Sequence, residues 1–354
     1  MPAMATIDDH GGWPALLTHL LDRNHLTAEQ AEVVMSTILA GDATPAQIVG
    51  FLVALRAKGE SAEELGGLLE GVLAHAALVD LDETQRSAAI DIVGTGGDRS
   101  HSINVSTMAA VVAAGAGAPV LKHGNRAASS KCGSADVLEA LGVTIELTPA
   151  GAKQAFEQAG IAFCLAQAFH PAFRFAGPAR REIGIATVMN LLGPMANPGR
   201  VRRQVIGVAN AGFAERMVET LQRHGSEHAW VVHGNGLDEL STTGPSHVVE
   251  LRQGEVTRHE VEPLRYGLAR ALADDLVGGD PADNAAAARR VFAGDPGPHR
   301  DIVVLNAGAG LVVAGLAPEL GDGIVMAQAA IDDGRAAAAL DRMVTASHAA
   351  AGAA

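Results

Sequence analysis

Aromatic residues are scarce: Trp, Tyr and Phe make up 3% of the 354 residues. Bases of single-stranded nucleic acid stack on such rings, so their scarcity argues against a stacking platform. Lysine occurs four times, and the formal net charge is −14. That balance argues against a general binder of phosphate backbones. An anionic ligand would need local cations or a metal to offset the acidic field. Cysteine occurs twice, at Cys132 and Cys164, too few and too far apart for a zinc site or a disulfide scaffold. The longest apolar run, MAAVVAAGAGAPVL, is about 14 residues and holds Gly and Pro, short of the roughly 20 that span a bilayer. No basic stretch leads into an apolar run at the N-terminus, so no secretory signal is read. The expectation is a soluble, cytoplasmic protein with neither a membrane nor a nucleic-acid partner.

What is present is apolar mass: 48% of the chain is hydrophobic. The length favours one large domain and a smaller one. The first 80 residues predict about four helices. Thr27 with Gln30, Thr44 with Gln47, and Ser61 with Glu64 have the spacing of capping boxes. Pro45 is a favoured first-turn proline, and Gly41 and Gly59 are helix stops. From AAIDIVGTGG onward the texture changes. AIDIVG, APVLKHG, GVTIEL, IAFCLA, RQVIGVA and HAWVVHG read as strands, alternating with alanine-rich helical segments. That pattern predicts an α/β fold with a mostly parallel sheet covered by helices. STTGPSHVVELRQGEVTRHEVEP predicts an antiparallel hairpin, and the final SHAAAGAA a frayed tail over 347–354.

Four stretches carry chemistry. In DIVGTGGDRSHSINVST a strand runs into a glycine turn, and Asn104, Ser106 and Thr107 open the next helix. Bare amides and a helix N-terminus bind phosphate, although a tight strand-to-helix turn uses the same glycines. Arg99 stands where a dinucleotide fingerprint needs its third glycine, and no Lys-Ser or Lys-Thr pair makes a P-loop. Asp98 would repel a bare phosphate. KHGNRAASSKCGSAD, residues 122–136, gathers Lys122, Arg126 and Lys131 directly after a strand, a local positive pocket or else a solvated loop. HGNGLDEL places Asp238 and Glu239 after another strand, and a phosphate site with nearby carboxylates suits Mg²⁺. FHPAFRFAGPARREIGIATVMNLLGPMANP holds His170, Arg174, Arg180 and Arg181, and an arginine can grip a carboxylate bidentately.

Taken together, GTGGD, NVST, KHGNRAASS…GSAD, HPAFR…ARRE, NLLGPMANP and GLDE, in this order and spacing, resemble the anthranilate phosphoribosyltransferases of tryptophan biosynthesis over nearly the whole chain. The pyrimidine nucleoside phosphorylases share the implied fold and a similar lysine-glycine-serine segment, but not GTGGD with GLDE. The resemblance implies transfer of the phosphoribosyl group of 5-phosphoribosyl 1-pyrophosphate to the amine of anthranilate. It implies two Mg²⁺ per subunit, held by Ser106, Asp238 and Glu239. It also implies that Gly94, Gly96, Gly97, Asp98, Ser102, Asn104, Ser106, Thr107, the run Lys122, His123, Gly124, Asn125, Arg126, Ala127, Ala128, Ser129 and Ser130, and Ser134 bind 5-phosphoribosyl 1-pyrophosphate. Gly94, Asn125, His170 and Arg180 would bind anthranilate, with Arg180 nearest its carboxylate. No side chain is implied as an obligate acid or base.

The resemblance further implies a homodimer paired through a helical domain, residues 1–85 with helices from about 175–200. The α/β domain would comprise 86–174 and 201–346. Arg99, Phe173 and Met189 depart from residues frequent in the family; these changes bear on analogue selectivity more than on the reaction.

Overall fold

The computed structural model describes residues 5–127 and 130–352. Its first helices are α1 (Gly12–Leu21), α2 (Ala28–Ala40), α3 (Pro45–Lys58) and α4 (Ala62–Ala74). All three capping boxes form: Thr27, Thr44 and Ser61 each accept from the backbone N–H three residues on, and Gln30, Gln47 and Glu64 reach back. Each box satisfies two amides that the helix leaves orphaned. Gly41 at φ +87° caps α2, a conformation that costs glycine little. Glu64 is fully buried and is held by Lys58 Nζ at 2.8 Å and by the backbone N–H groups of Leu26 and Ser61.

After α5 (Glu83–Ala88) come β1 (Ile90–Gly94), α6 (Val105–Gly115), β2 (Val120–Gly124), α7 (Ser134–Ala140), α8 (Pro149–Ala159) and β3 (Ile161–Leu165). An excursion follows, with α9 (Ala166–Phe169), α10 (Gly177–Ile183) and α11 (Val188–Met195). The chain then returns through β4 (Arg203–Gly207), α12 (Ala214–Arg223), β5 (His228–Gly234), β6 (Ser246–Arg252) and β7 (Glu255–Val261). It ends with α13 (Pro281–Phe292), α14 (Pro298–Val313), α15 (Leu320–Asp332) and α16 (Arg335–Ala351). The strands form one sheet in the order β3-β2-β1-β4-β5-β6-β7, parallel through β5 and antiparallel beyond it. The α/β expectation with a small helical N-terminal unit holds. The hairpin expectation also holds, with β6 and β7 joined at Gln253 and Gly254, both at positive φ.

Two apolar cores flank the sheet. One packs β1–β3 with α6, α8, α14 and α16. The other joins α1–α4 to α10, α11, α12 and the opposite sheet face. The excursion helices therefore pack with the N-terminal helices, although 100 residues of sheet and helix separate the two in the chain.

Two expectations are corrected. GVTIEL is not a strand: residues 143–148 are extended without a sheet partner. Val143, Ile145 and Leu147 bury their alternate side chains, and the Thr144 N–H donates to Ser347 Oγ on α16. The period-two pattern is thus served by a helix rather than by a neighbouring strand. The tail is not frayed from 347: α16 runs to Ala351, with Ser347 and Ala350 each 2% exposed and His348 Nε2 donating to the Gly142 carbonyl.

Candidate active site

Strand order reverses between β1 and β4, where Gly94 pairs with Gly207. In open α/β sheets the crevice at such a reversal, beyond the strand carboxyl ends, is the binding site. The β5 exit loop folds over it and lays Asp238 on both glycines. A Cβ at Gly94 would overlap the Asp238 carboxylate, and one at Gly207 its carbonyl. Only glycine permits this approach, which brings GTGGD and GLDE together from 140 residues apart.

The glycine loop is held by acids rather than by basic residues. Gly96 donates its N–H to Asp238 Oδ2 at 2.6 Å. Asp98 accepts from the Ser100 N–H, and Ser100 Oγ lies 3.1 Å from Ser102 Oγ. Gly96 and Gly97 take positive φ, as does Arg99 at +61°, so a non-glycine residue adopts the left-handed region there. Ser106, in the first turn of α6, donates its N–H to Glu239 Oε1 at 3.1 Å. Thr107 is buried, and its hydroxyl has no partner among the described residues.

Three carboxylates meet at this point. Burial and the neighbouring Asp98 push Asp238 up to about 7. Burial and Asp238 hold Glu239 well above the usual carboxylate range. Lys122 is 1% exposed; its ammonium donates to the Ile92 carbonyl and lies 3.5 Å from Ser106 Oγ. Burial lowers its pKa, opposed by Asp91 and Glu239. Carboxylates crowded until they retain protons are poised to release them to a cation. Among the described residues no group of three or more His, Cys, Asp or Glu could ligate a metal unaided. The two carboxylates beside the glycine loop and the first turn of α6, Asp238 and Glu239, suit Mg²⁺ that shares its shell with substrate phosphates and water.

The second loop differs from the positive pocket expected. Arg126 is committed to α7, with Glu139 at 2.5 and 2.9 Å and Asp136 at 3.1 Å. Its single positive charge already faces two carboxylates before any ligand arrives. Asp136 also accepts from the N–H groups of Ala127 and Gly133, at 2.9 and 2.8 Å, and so clasps both ends of the loop. Asn125 is exposed and accepts from the Arg126 N–H. Gly124 and Ser134 adjoin, since a Cβ on Gly124 would press Phe163 and Ser134. Ser130 Oγ donates to the Cys132 carbonyl. Asn104 also spends its side chain here, donating to the Cys132 carbonyl and accepting from its thiol, which joins the two loops. Ala128 and Ser129 lie outside the described residues.

The excursion packs beside the end of β2. His170 is 3% exposed, donates Nε2–H to the Ala196 carbonyl at 2.9 Å, and leaves Nδ1 without a partner among the described residues. Its ring lies 5.0 Å from His123 and 5.5 Å from Phe173. Burial brings His170 down to about 4 and, with His170 beside it, holds His123 well below the usual range. Both rings are neutral at pH 7. Arg180 on α10 is half-buried, its pKa lowered by burial, with no acidic partner among the described residues. An unpaired, partly desolvated guanidinium is costly unless a ligand completes it.

Three residues were not singled out from the sequence. Asp91 and Asn197, both buried, bond to each other at 2.9 Å, and Asp136 organises the second loop. An acid inside the apolar strand AIDIVG was the available signal, since a buried charge is rare unless partnered.

Known proteins resemble the chain over nearly its whole length. Residues 14–76 match the helical bundle domain of a glycosyl transferase family, and residues 86–337 match its a/b domain. An anthranilate phosphoribosyltransferase of Arthrobacter sp. is 48% identical over 338 residues, covering 94% of this chain and 95% of that one. One from Chloroflexus aggregans is 51% identical, covering 92% and 95%. The crystal structure of the Thermus thermophilus enzyme superposes with a TM-score of 0.88 at 41% identity, over 94% of this chain and 99% of that one. The Saccharomyces cerevisiae enzyme, solved in complex with 5-phosphoribosyl 1-pyrophosphate and Mg, superposes at 0.86 with 26% identity, over 95% and 98%. The chain belongs to the anthranilate phosphoribosyltransferase family, the transferases of tryptophan biosynthesis that join the phosphoribosyl group to anthranilate.

Proposed function

We propose that the phosphate end of 5-phosphoribosyl 1-pyrophosphate lies against the GTGGD loop, the first turn of α6 and the 122–134 loop. Anthranilate then enters between Asn125, His170 and Arg180. The products are N-(5-phosphoribosyl)anthranilate and pyrophosphate. The observation that carries this division is the separation of charge. Crowded acids gather at the ends of β1 and β5, and the excursion, which meets β2 at His123 and His170, carries the half-buried Arg180 guanidinium without an acidic partner among the described residues. The yeast relative, solved with 4-fluoroanthranilate at 25% identity, supports an aromatic acid as acceptor.

Ser106, Asp238 and Glu239 are assigned as the Mg²⁺ ligands, for two ions per subunit, with Asp98 meeting ligated water or ribose hydroxyls. When bound, Mg²⁺ supplies positive charge to the pyrophosphate as it departs. The N–H groups of Gly97 and Asp98 have no protein acceptor among the described residues, and can donate to the same growing charge. Positive charge builds on the ribose carbon, as in other glycosyl transfers. The aromatic amine is neutral at pH 7, and His123 and His170 are neutral and buried. The site therefore needs no obligate base and works by alignment and leaving-group stabilisation. The chain is assigned as a cytoplasmic homodimer. Leu21 on α1 and Val53 on α3 stand 72% and 41% exposed beside partly buried Leu17 and Val49, a patch suited to a second copy.

The test is Arg180→Ala. Loss of a charge-assisted pair costs about 2–3 kcal/mol. The KM for anthranilate should rise about 30- to 150-fold, while the dissociation constant for 5-phosphoribosyl 1-pyrophosphate with Mg²⁺ moves little. Equal loss of both would remove Arg180 from the acceptor side.

A further inference from the structure

Asp91 lies in the GTGGD strand and Asn197 in the NLLGPMANP run, yet neither has a part in the reaction as described so far. Asp91 is 0% exposed and cannot touch substrate. Its Oδ1 accepts from the His123 N–H at 3.2 Å and its Oδ2 from Asn197 Nδ2 at 2.9 Å. Asn197 Nδ2 donates also to the Leu121 carbonyl at 2.8 Å, and its Oδ1 accepts from the Gly199 N–H. Lys122, whose other neighbour is Glu239, is the nearest opposite charge to Asp91. Three pieces of backbone thus meet on one carboxylate: β1, which ends in the glycine loop; β2, which ends in the 122–134 loop; and the exit of the excursion. His170, at the entrance of that excursion, donates to Ala196, the residue before Asn197. Entrance and exit are tied together and then tied to Asp91. Arg180 rides between them.

We propose that Asp91 is a positioning residue that sets the acceptor wall, carried by residues 170–199, in register with the phosphate wall, carried by β1 and β2. This rests on the placement of anthranilate against Arg180. A buried carboxylate suits the task because it accepts from both walls at once. An apolar residue there would leave the His123 N–H and one of the two Asn197 amide hydrogens without an acceptor. The reaction depends on holding amine and anomeric carbon in line, so a small misalignment is felt in turnover more than in binding.

The experiment uses the full-length protein with Asp91→Asn, Asn197→Ser and the double substitution. It reads the melting temperature, the dissociation constant of 5-phosphoribosyl 1-pyrophosphate with Mg²⁺, and kcat and KM for anthranilate. Asp91→Asn keeps the size and the acceptor for His123 but turns an N–H toward Asn197. The expected result is a fall in kcat of about 10- to 100-fold, a raised KM for anthranilate, and phosphoribosyl pyrophosphate binding within about threefold of the parent. The double substitution should lose no more kcat than the worse single one, because the two residues act as a unit. If Asp91→Asn does not fold, Asn197→Ser carries the same comparison. A lowered melting temperature with unchanged kcat per folded enzyme would make the pair merely structural and overturn the proposal. So would additive losses in the double variant. If the parent protein itself ignores anthranilate, the acceptor assignment falls first and the proposal with it.

Discussion

Asp238 carries the strongest chemical statement a single residue makes here. Burial and Asp98 raise it to about 7 in the free protein. As a proposed Mg²⁺ ligand Asp238 must be ionised in the bound form, so binding Mg²⁺ with 5-phosphoribosyl 1-pyrophosphate should expel a proton below that pH. The sign follows: affinity should climb as pH rises toward about 7, by up to about tenfold per unit for the Asp238 proton. In Asp238→Asn that slope should shrink to what Glu239, also raised, and the substrate phosphates contribute, and more Mg²⁺ should be needed at every pH. Calorimetry in buffers of differing ionisation enthalpy reads the proton directly. A slope unchanged in Asp238→Asn would remove the residue from the metal site. His123 and His170 act on the fold itself. Their native pKa values are depressed, so stability is full above the ordinary histidine range and is lost as pH falls from there, down to about 4 for His170.

At the level of elements, the 122–134 loop shows how sequence and structure part company. Its basic residues read as a positive pocket, but Arg126 faces Asp136 and Glu139 on the following helix, and Lys122 is buried beneath Asp91 and Glu239. What shapes the loop is Asp136, accepting from Ala127 and Gly133. Asp136→Ala should cost about 1–3 kcal/mol and weaken phosphoribosyl pyrophosphate binding before it touches anthranilate use. A thermal melt and a binding isotherm together check this, and a normal isotherm would mean the loop orders itself without the clasp. Local signals were legible: the capping boxes, the hairpin and the glycine turn each declare themselves within a few residues. Asp91 with Asn197, 106 residues apart, could not be paired from one chain, because nothing local to either names the other. GVTIEL misled for the same reason. Alternating burial requires an apolar wall on one side, and α16, nearly 200 residues later, is that wall.

For the whole molecule, the division of labour follows from the two cores. One holds the phosphate strands with the C-terminal helices. The other binds the excursion to the N-terminal helices, so the wall proposed for anthranilate packs with the helical unit. The outer face of α1 and α3 remains apolar at Leu21 and Val53. Replacing both by Glu should turn a dimer into a monomer in light scattering, at little cost to the fold because both side chains are exposed. Dimers that survive the change would place the interface elsewhere.

The central claim is that an acid-lined glycine loop binds pyrophosphate only when Mg²⁺ offsets Asp98, Asp238 and Glu239. The direct measurement is the fluorescence of anthranilate mixed with the protein and 5-phosphoribosyl 1-pyrophosphate, with Mg²⁺ and then with a chelator. The account predicts a decay with Mg²⁺ that the chelator abolishes. A decay that persists in chelator would show the carboxylates serving no metal and would contradict it.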